Sequence, residues 1–311
     1  MTERLPPQVE QLIDERTAAR AERDFTAADA LRERIRAMGW EVVDLPGGST
    51  ARPSLPATAG EADYARPEDL ESLLDEPATV AASVQVLAEQ HGKDLERFLR
   101  GLAAHPPGVE WEMVMVANSP TFGISALLGA VPLPVEPTVL VSAERLGWAD
   151  ARNLGLRRSR GEVTVLVDTS VEPVGDFLSP LVAAFDDPSV GIAGAWGVVS
   201  ATGRAFEDAP PGEVDAIEGY CLAVRREVLR TAGLFDHRFR FYRNADLDFS
   251  FQARAAGWKA IALADLALRR HEHRGYAALP PAERERLSKR NFYRFLKHWG
   301  DRRDLLLHPE R

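Results

Sequence analysis

The chain is poor in cysteine, in long apolar runs and in excess positive charge. Of its 311 residues only Cys221 is a cysteine, so no disulfide forms within the chain and a reducing compartment fits. No apolar run approaches the roughly 20 residues that cross a bilayer. The opening MTERLPPQVEQLIDER is charged where a secretory leader would be apolar. These absences set a cytoplasmic expectation. Lys and Arg total 38 against 47 Asp and Glu, a formal net charge of −9, which disfavours a general nucleic-acid-binding surface. What is present, 45% hydrophobic and 27% charged residues, is the composition of a globular protein. The length suffices for one large core with a small companion.

Three regions differ along the chain, and no internal repeat stands out. Residues 1–48 form a helical hairpin module by pattern. Val9, Leu12 and Ile13 share one helical face, and Leu31, Ile35 and Met38 share another. Thr26 followed by Asp29 resembles a capping-box start, and Gly39 suits a helix end. Trp40–Val43 then predicts a short strand, and Pro46-Gly47-Gly48 a turn. Residues 49–77 are rich in Pro, Ala, Gly and acidic residues and read as a linker, with a short helix around Pro67–Leu74. From 78 to 311 strand and helix patterns alternate. Strands are expected at Val80–Leu87, Glu112–Val116, Thr138–Ser142, Val163–Val167, Val190–Ala195 and Ala260–Leu268. Helices are expected at Lys93–Ala103, Asp150–Arg158 and Asp176–Phe185. Such alternation predicts an α/β domain with a mainly parallel sheet flanked by helices. Cys221 lies in the apolar GYCLAV and reads as core.

Chemistry concentrates around Asp168. The apolar run Val163–Val167 ends in this carboxylate, so it delivers a charge to the C-terminal edge of a sheet, where open α/β sheets bind ligands. Arg152, Asn153 and Gly155 precede it. Asp246 and Asp248 lie in RNADLDFSF, and His271 and His273 in RRHEHRG.

Four segments then fall in a known order: SVQVLAEQHGKDLERFL, EWEMVMVANSP, GWADARNLGLRRSRGEVTVLVDTS and GYCLAVRREVLRTAGLFDHRFRFYRNADLDFSFQARAAGWKA. Over about residues 81–274 the chain resembles family 2 glycosyltransferases of the GT-A fold. The resemblance implies transfer of a sugar from a UDP-, GDP- or dTDP-linked donor to a hydroxyl acceptor, with inversion. It implies that Asp246 is the base, and that Glu89, Asn118, Arg152, Asn153, Asp168 and Ser170 belong to the nucleotide-sugar site, with Asn153 fixing its loop by backbone hydrogen bonds and Arg152 approaching the diphosphate. It also implies Mg²⁺ or Mn²⁺, with Asp168, His271 and His273 as ligands. The chemistry is consistent with such a set: a departing diphosphate needs a cation, and an acceptor hydroxyl needs a base.

The chain departs from that pattern at several positions. Ser170 stands where the second Asp of the Asp-x-Asp motif is usual, and Glu172 is a substitute within reach. Ala117 replaces an Asp beside Asn118, Ala245 replaces a Glu beside Asp246, and Leu87-Ala88-Glu89 replaces Pro-Thr-Tyr. These losses leave open a non-catalytic nucleotide-sugar-binding protein. Asp248 reads as a helix cap or a catalytic group. The histidines read as a metal pair; the alternatives are a surface turn, or diphosphate binding by the flanking Arg269, Arg270 and Arg274.

The N-terminal stretch, with IDERTAAR, DFTAADALRERI and a Gly-x-x-x-x-Asp-x-Pro-x-Gly ending, resembles the C-terminal helical tail of cysteinyl-tRNA synthetases. That implies an RNA- or protein-interaction appendage without aminoacylation. Its arginines alternate with acidic residues, as on a salt-bridged helix surface. The C-terminal PPAERERLSKRNFYRFLKHWGDRRDLL predicts a basic amphipathic helix. Such a helix packs on its own domain or lies on the inner face of a membrane.

Overall fold

The computed structural model describes residues 5–45, 48–53 and 63–310. The N-terminal module holds α1 (Pro7–Ala21), α2 (Phe25–Ala37), β1 (Trp40–Leu45) and β2 (Gly48–Pro53). Val9, Leu12, Ile13 and Ile35 are its buried core, with Leu31, Met38 and Trp40 packed on them. Pro7 opens α1, where a missing backbone N–H costs nothing. α2 begins earlier than its Thr26–Asp29 pattern predicts: Asp24 caps it, accepting from the Ala27 amide at 2.9 Å. Gly39 follows the helix at φ +80°, and a Cβ there would come within 3.1 Å of Ala126 Cβ. Glycine at this position thus permits both the backbone turn and close seating of the module on the larger body.

The larger body runs β3 (Asp63–Tyr64), β4 (Val80–Ala88), α3 (Gly92–Ala104), β5 (Trp111–Ala117), α4 (Ile124–Ala130), β6 (Thr138–Ser142), α5 (Trp148–Arg158), β7 (Gly161–Val167), β8 (Val171–Pro173) and α6 (Leu178–Ala183). It continues through β9 (Val190–Gly194), β10 (Gly197–Val199), β11 (Glu207–Ala209), β12 (Gly212–Val214), β13 (Ala216–Ile217), β14 (Cys221–Arg225), α7 (Arg226–Thr231) and α8 (Ala245–Ala255). The last elements are β15 (Lys259–Ala262), β16 (Leu268–Arg270), α9 (Arg274–Ala277) and α10 (Pro281–Trp299). Among the described residues the main sheet has nine strands in the order β12-β15-β9-β14-β7-β4-β5-β6-β3. β4 pairs in parallel with β5 and β7, and β5 with β6. β14 runs antiparallel between β7 and β9. Strands buried on both faces explain the near-continuous Val, Met and Ala runs of β4, β5 and β7.

Helices cover both faces. α3 and α6 bury Leu95, Phe98, Leu102 and Leu178 against Val84, Met113 and Val165. On the other face Phe249 and Ala253 of α8 and Val228 of α7 pack on Ile192 and Leu222. The C-terminal helix α10 joins its own domain, with Phe295 fully buried among Phe251, Leu247 and Val198.

Two expectations change. The 49–77 stretch is not a uniform linker: β2 pairs with β1, and β3 joins the main sheet beside β6. Arg226 then holds its last turn through the carbonyls of Leu73, Leu74 and Glu76. The expected helix there is one short turn at Pro67–Asp69. Residues 54–62, and Pro46-Gly47 of the expected turn, lie outside the described residues. The strand expected at Ala260–Leu268 splits into β15 and β16 around Asp265, whose φ is +52°.

Candidate active site

After β4 the chain moves to β5 and β6 on one side and returns to β7 on the other. The C-terminal ends of β4 and β7 therefore flank a switch point, where a crevice opens. Glu89 follows β4 and Asp168 follows β7. Both line a cavity of about 280 Å³. A second cavity of about 350 Å³ adjoins it and contains Asp246. The two share Trp148, Asp168, Tyr242 and His273, so Asp168 stands at their junction.

Asp168 is held by its own turn. The Ser170 amide donates to its Oδ1 at 2.8 Å and the Ser170 hydroxyl to the same atom at 2.5 Å. His273 Nε2 lies 3.4 Å from Oδ2. Burial opposes ionisation of Asp168. The His273 hydrogen bond and charge, with the Ser170 donors, outweigh it and hold the carboxyl down at about 2. His273 caps α9: its Nδ1 accepts from the Tyr276 amide at 3.0 Å. Its ring stacks on Tyr242 with centroids 4.5 Å apart. Assigned from these partners, its proton sits on Nε2 and faces Asp168.

Asp246 lies in the first turn of α8. Its Oδ2 accepts from the Gly219 amide at 2.8 Å and its Oδ1 from the Leu247 amide at 3.0 Å. Burial dominates over these donors and raises its carboxyl above the usual range. Glu218 lines the same cavity. Burial and the nearby Asp246 charge raise its carboxyl too, while Arg270 lies 3.2 Å from it.

Other expected site residues have different work. His271 does not pair with His273: its Nε2 lies 2.6 Å from Glu172 Oε2. The extended run ends at Arg270, and the chain then turns to start α9, so the two rings face different carboxylates. Glu172 is thereby engaged with His271 and Arg269 rather than reaching Asp168. Arg152 does line the cavity, but as part of its wall. It is 1% exposed, and its guanidinium donates to the Gln85 carbonyl and side chain and to the Val167 carbonyl at 3.1–3.2 Å. Burial lowers its pKa to about 10 against the pull of Asp168 and Glu89. Asn153 does not line the crevice and clamps the Phe235 amide and carbonyl. Asn118 is fully buried. It donates to Glu89 Oε1 at 2.5 Å and accepts from the Leu146 amide at 2.8 Å, so it positions Glu89 and the loop after β6. Asp248 is neither cap nor site group. It is 3% exposed and accepts from Trp299 Nε1 at 2.9 Å, tying α8 to α10.

Sequence reasoning passed over Arg145, Arg240 and Tyr242, which line the crevice from loops. The only local signal was the run RFYRNAD just before Asp246.

Two places bring together groups of the kind that ligate a divalent cation. Asp236, Asp248 and His298 bring ligand atoms within 4.8 Å of one another. A cation already lies there: Arg238 Nε is 2.9 Å from both Asp236 oxygens and its Nη2 is 3.0 Å from His298 Nε2. At Asp168 one oxygen carries both Ser170 donors and the other faces the His273 proton. Ser170, at the second motif position, turns its hydroxyl inward. A hard cation asks for several free oxygen ligands, and the residues present do not fit a tightly chelated one.

A family model described as Glycosyl transferase family 2 matches residues 83–250. One described as Cysteinyl-tRNA ligase anticodon binding domain matches residues 2–50. A cysteine–tRNA ligase of Nitratidesulfovibrio vulgaris is 50% identical over 44 residues, 14% of this chain. The chain spans only 9% of that ligase's length. Among solved structures, GalNAc-T7 with UDP, GalNAc and Mn²⁺ superposes with a TM-score of 0.54 at 16% identity, over 73% of this chain and 49% of that one. Mannosyltransferase PcManGT from Pyrobaculum calidifontis, in complex with GDP-Man and Mn²⁺, gives 0.52 at 20% identity, over 77% and 75%. These likenesses carry the fold.

Proposed function

Since the chain belongs to glycosyl transferase family 2 and has the GT-A fold, we propose that it moves a sugar from a nucleotide-linked donor to a hydroxyl acceptor. The observation that carries this reading is the pair of adjoining cavities, one walled by Glu89 and Asp168 and the other by Asp246. A reaction between a donor and an acceptor needs two such compartments sharing a wall.

Donor nucleotide occupies the crevice at the switch point, with Glu89 positioned by Asn118 to meet the base or ribose. Asp168, ionised and fixed by Ser170 and His273, borders the place where the sugar and diphosphate meet. The acceptor enters the second cavity between Phe206, Tyr220 and Phe292. The Asp246 carboxylate takes the proton from its hydroxyl, and the oxygen attacks the anomeric carbon opposite the leaving diphosphate. That geometry inverts the anomeric centre. A raised carboxyl suits the task, because a base works best with a pKa closer to the working pH. Donors linked to UDP, GDP and dTDP are the candidates. The substitutions at Ala117 and Ala245 favour, as a second reading, a protein that binds such a donor without turnover.

A thermal-shift screen of nucleotide sugars identifies the donor, since a bound ligand stabilises the fold by mass action. Hydrolysis or transfer assays with the hit then separate the two readings. Asp246→Asn should keep donor binding and lose turnover. A native chain that binds but never turns over favours the binding protein, and a chain that binds no nucleotide sugar sinks both.

A further inference from the structure

In the donor site Ser170 stands where the second carboxylate of the Asp-x-Asp motif is usual, and three loop arginines line the crevice. Arg145, Arg240 and Arg274 line the same crevice as Asp168 and His273. They come from three separate segments: the loop after β6, the turn before α8 and the start of α9. The packing brings these segments together. The Trp148 amide donates to the Arg240 carbonyl at 3.2 Å, and a Cβ on Gly147 would come within 3.0 Å of Arg240 Cγ. Arg274 Nε lies 3.6 Å from Asp94 Oδ2, which anchors it beside α3. Arg145 lies 3.9 Å from Glu89, on the opposite rim.

Resting on the donor reading above, we propose that the leaving diphosphate is held by Arg145, Arg240 and Arg274, and not by a chelated divalent cation. The donor chemistry requires a substitute. Ser170 closes one oxygen of Asp168 with two hydrogen bonds. Freeing the other for a metal means turning away the His273 proton. Presenting a lone pair at His273 Nε2 instead means moving that proton to Nδ1, against the Tyr276 amide hydrogen that Nδ1 accepts. The cap of α9 therefore keeps His273 a donor. Guanidinium groups are always charged and match phosphate oxygens two at a time. They offset the developing charge of the leaving group, as a cation would. Asp168 then orients His273 and faces the sugar.

The test is isothermal titration of the full chain with UDP, GDP and dTDP, in EDTA and in Mn²⁺. Expected is binding in EDTA that Mn²⁺ tightens by less than about threefold, a small effect beside the tenfold set by 1.4 kcal/mol. Arg240→Ala and Arg274→Ala should each weaken the diphosphates by about tenfold and leave the parent nucleosides unchanged. Ser170→Asp restores the missing carboxylate and should make Mn²⁺ tighten binding by about tenfold. Diphosphate binding that requires Mn²⁺ in the native chain overturns the inference while leaving the donor reading intact. So do arginine variants that bind diphosphates as the native chain does. A chain that binds no nucleoside diphosphate in either buffer overturns the donor reading itself.

Discussion

Asp246 combines burial with backbone donors that include Gly219 and Leu247, and burial wins. The folded state therefore holds its proton more tightly than the unfolded chain does. Such a carboxyl costs stability above its raised pKa, and the cost fades as pH falls through that value. Asp246→Asn should raise Tm at neutral pH, and the gain should vanish on acidification. In the same variant transfer should fall by ~10²–10⁴. Thermal melts across pH, set beside an activity assay, check both. An equal Tm for the two proteins at neutral pH contradicts the desolvation argument. For the native enzyme the acid limb of kcat/KM should lie above the pH range of an ordinary aspartate. At this scale the sequence placed Asp168 at a sheet edge, because a polar residue ends an apolar run there, while Asp246 came from the family resemblance. The backbone hydrogen bonds expected of Asn153 are present, at Phe235. Asn118 and Arg152 were less legible: their partners, Leu146 and Gln85, are remote in the chain, and only packing reveals where they face.

Among the elements, α10 governs the loop before α8. Asn291 is fully buried and donates to the Phe241 carbonyl at 2.6 Å and the Arg243 carbonyl at 2.9 Å. It thereby fixes the segment that presents Tyr242 and Arg243 to the second cavity. Asn291→Ala leaves two carbonyls without that donor and should cost about 1–3 kcal/mol. It should also raise KM for acceptor more than for donor; urea unfolding and steady-state kinetics report the two effects. Phe295→Ala should cost about 3–5 kcal/mol, because the ring fills a tight cluster with Phe206 and Phe251. The apolar stripe of α10 thus packs on its own domain, which the amphipathic pattern alone left open against a membrane surface. No described helix is long and apolar enough to cross a membrane. If this packing governs, cosedimentation with anionic vesicles should be insensitive to Phe295→Ala in the variant that remains folded. Periodicity located α3, α5 and α10 well. It misplaced β15 and β16, because a turn at Asp265 sits inside one apolar stretch.

On the scale of the whole molecule, the module of α1, α2, β1 and β2 has its own small core and meets the larger body at Gly39, Gly123 and Ala126. Gly39→Val forces a β-branched residue into φ +80° and drives its Cβ toward Ala126. It should destabilise the module by ~1 kcal/mol or more. Hydrogen exchange should then quicken in α1 and α2 while nucleotide binding holds. Slowed exchange, or lost nucleotide binding, contradicts a module that docks without building the site. Within the module Arg16 is buried beside Ser49, and Arg36 pairs with Glu33 at 3.8 Å. The interleaved charge pattern accordingly gives at least some of its arginines protein partners.

By itself the sequence determined the α/β class, both family resemblances, the strand that ends at Asp168 and the loss of its partner carboxylate. Each is written in local order: apolar periodicity, a charge at a strand end, a serine two residues on. Tertiary structure alone decided which side chains surround Asp168. His271 and His273 are two residues apart and looked alike, yet a helix start turns one toward Asp168 and leaves the other with Glu172. Arg145, Arg240 and Arg274 are scattered over 130 residues of chain and have no common pattern. Packing brings them to one crevice: Arg145 follows β6 of the main sheet, Arg240 lies between α7 and α8, and Arg274 follows β16, which pairs with β8 outside that sheet.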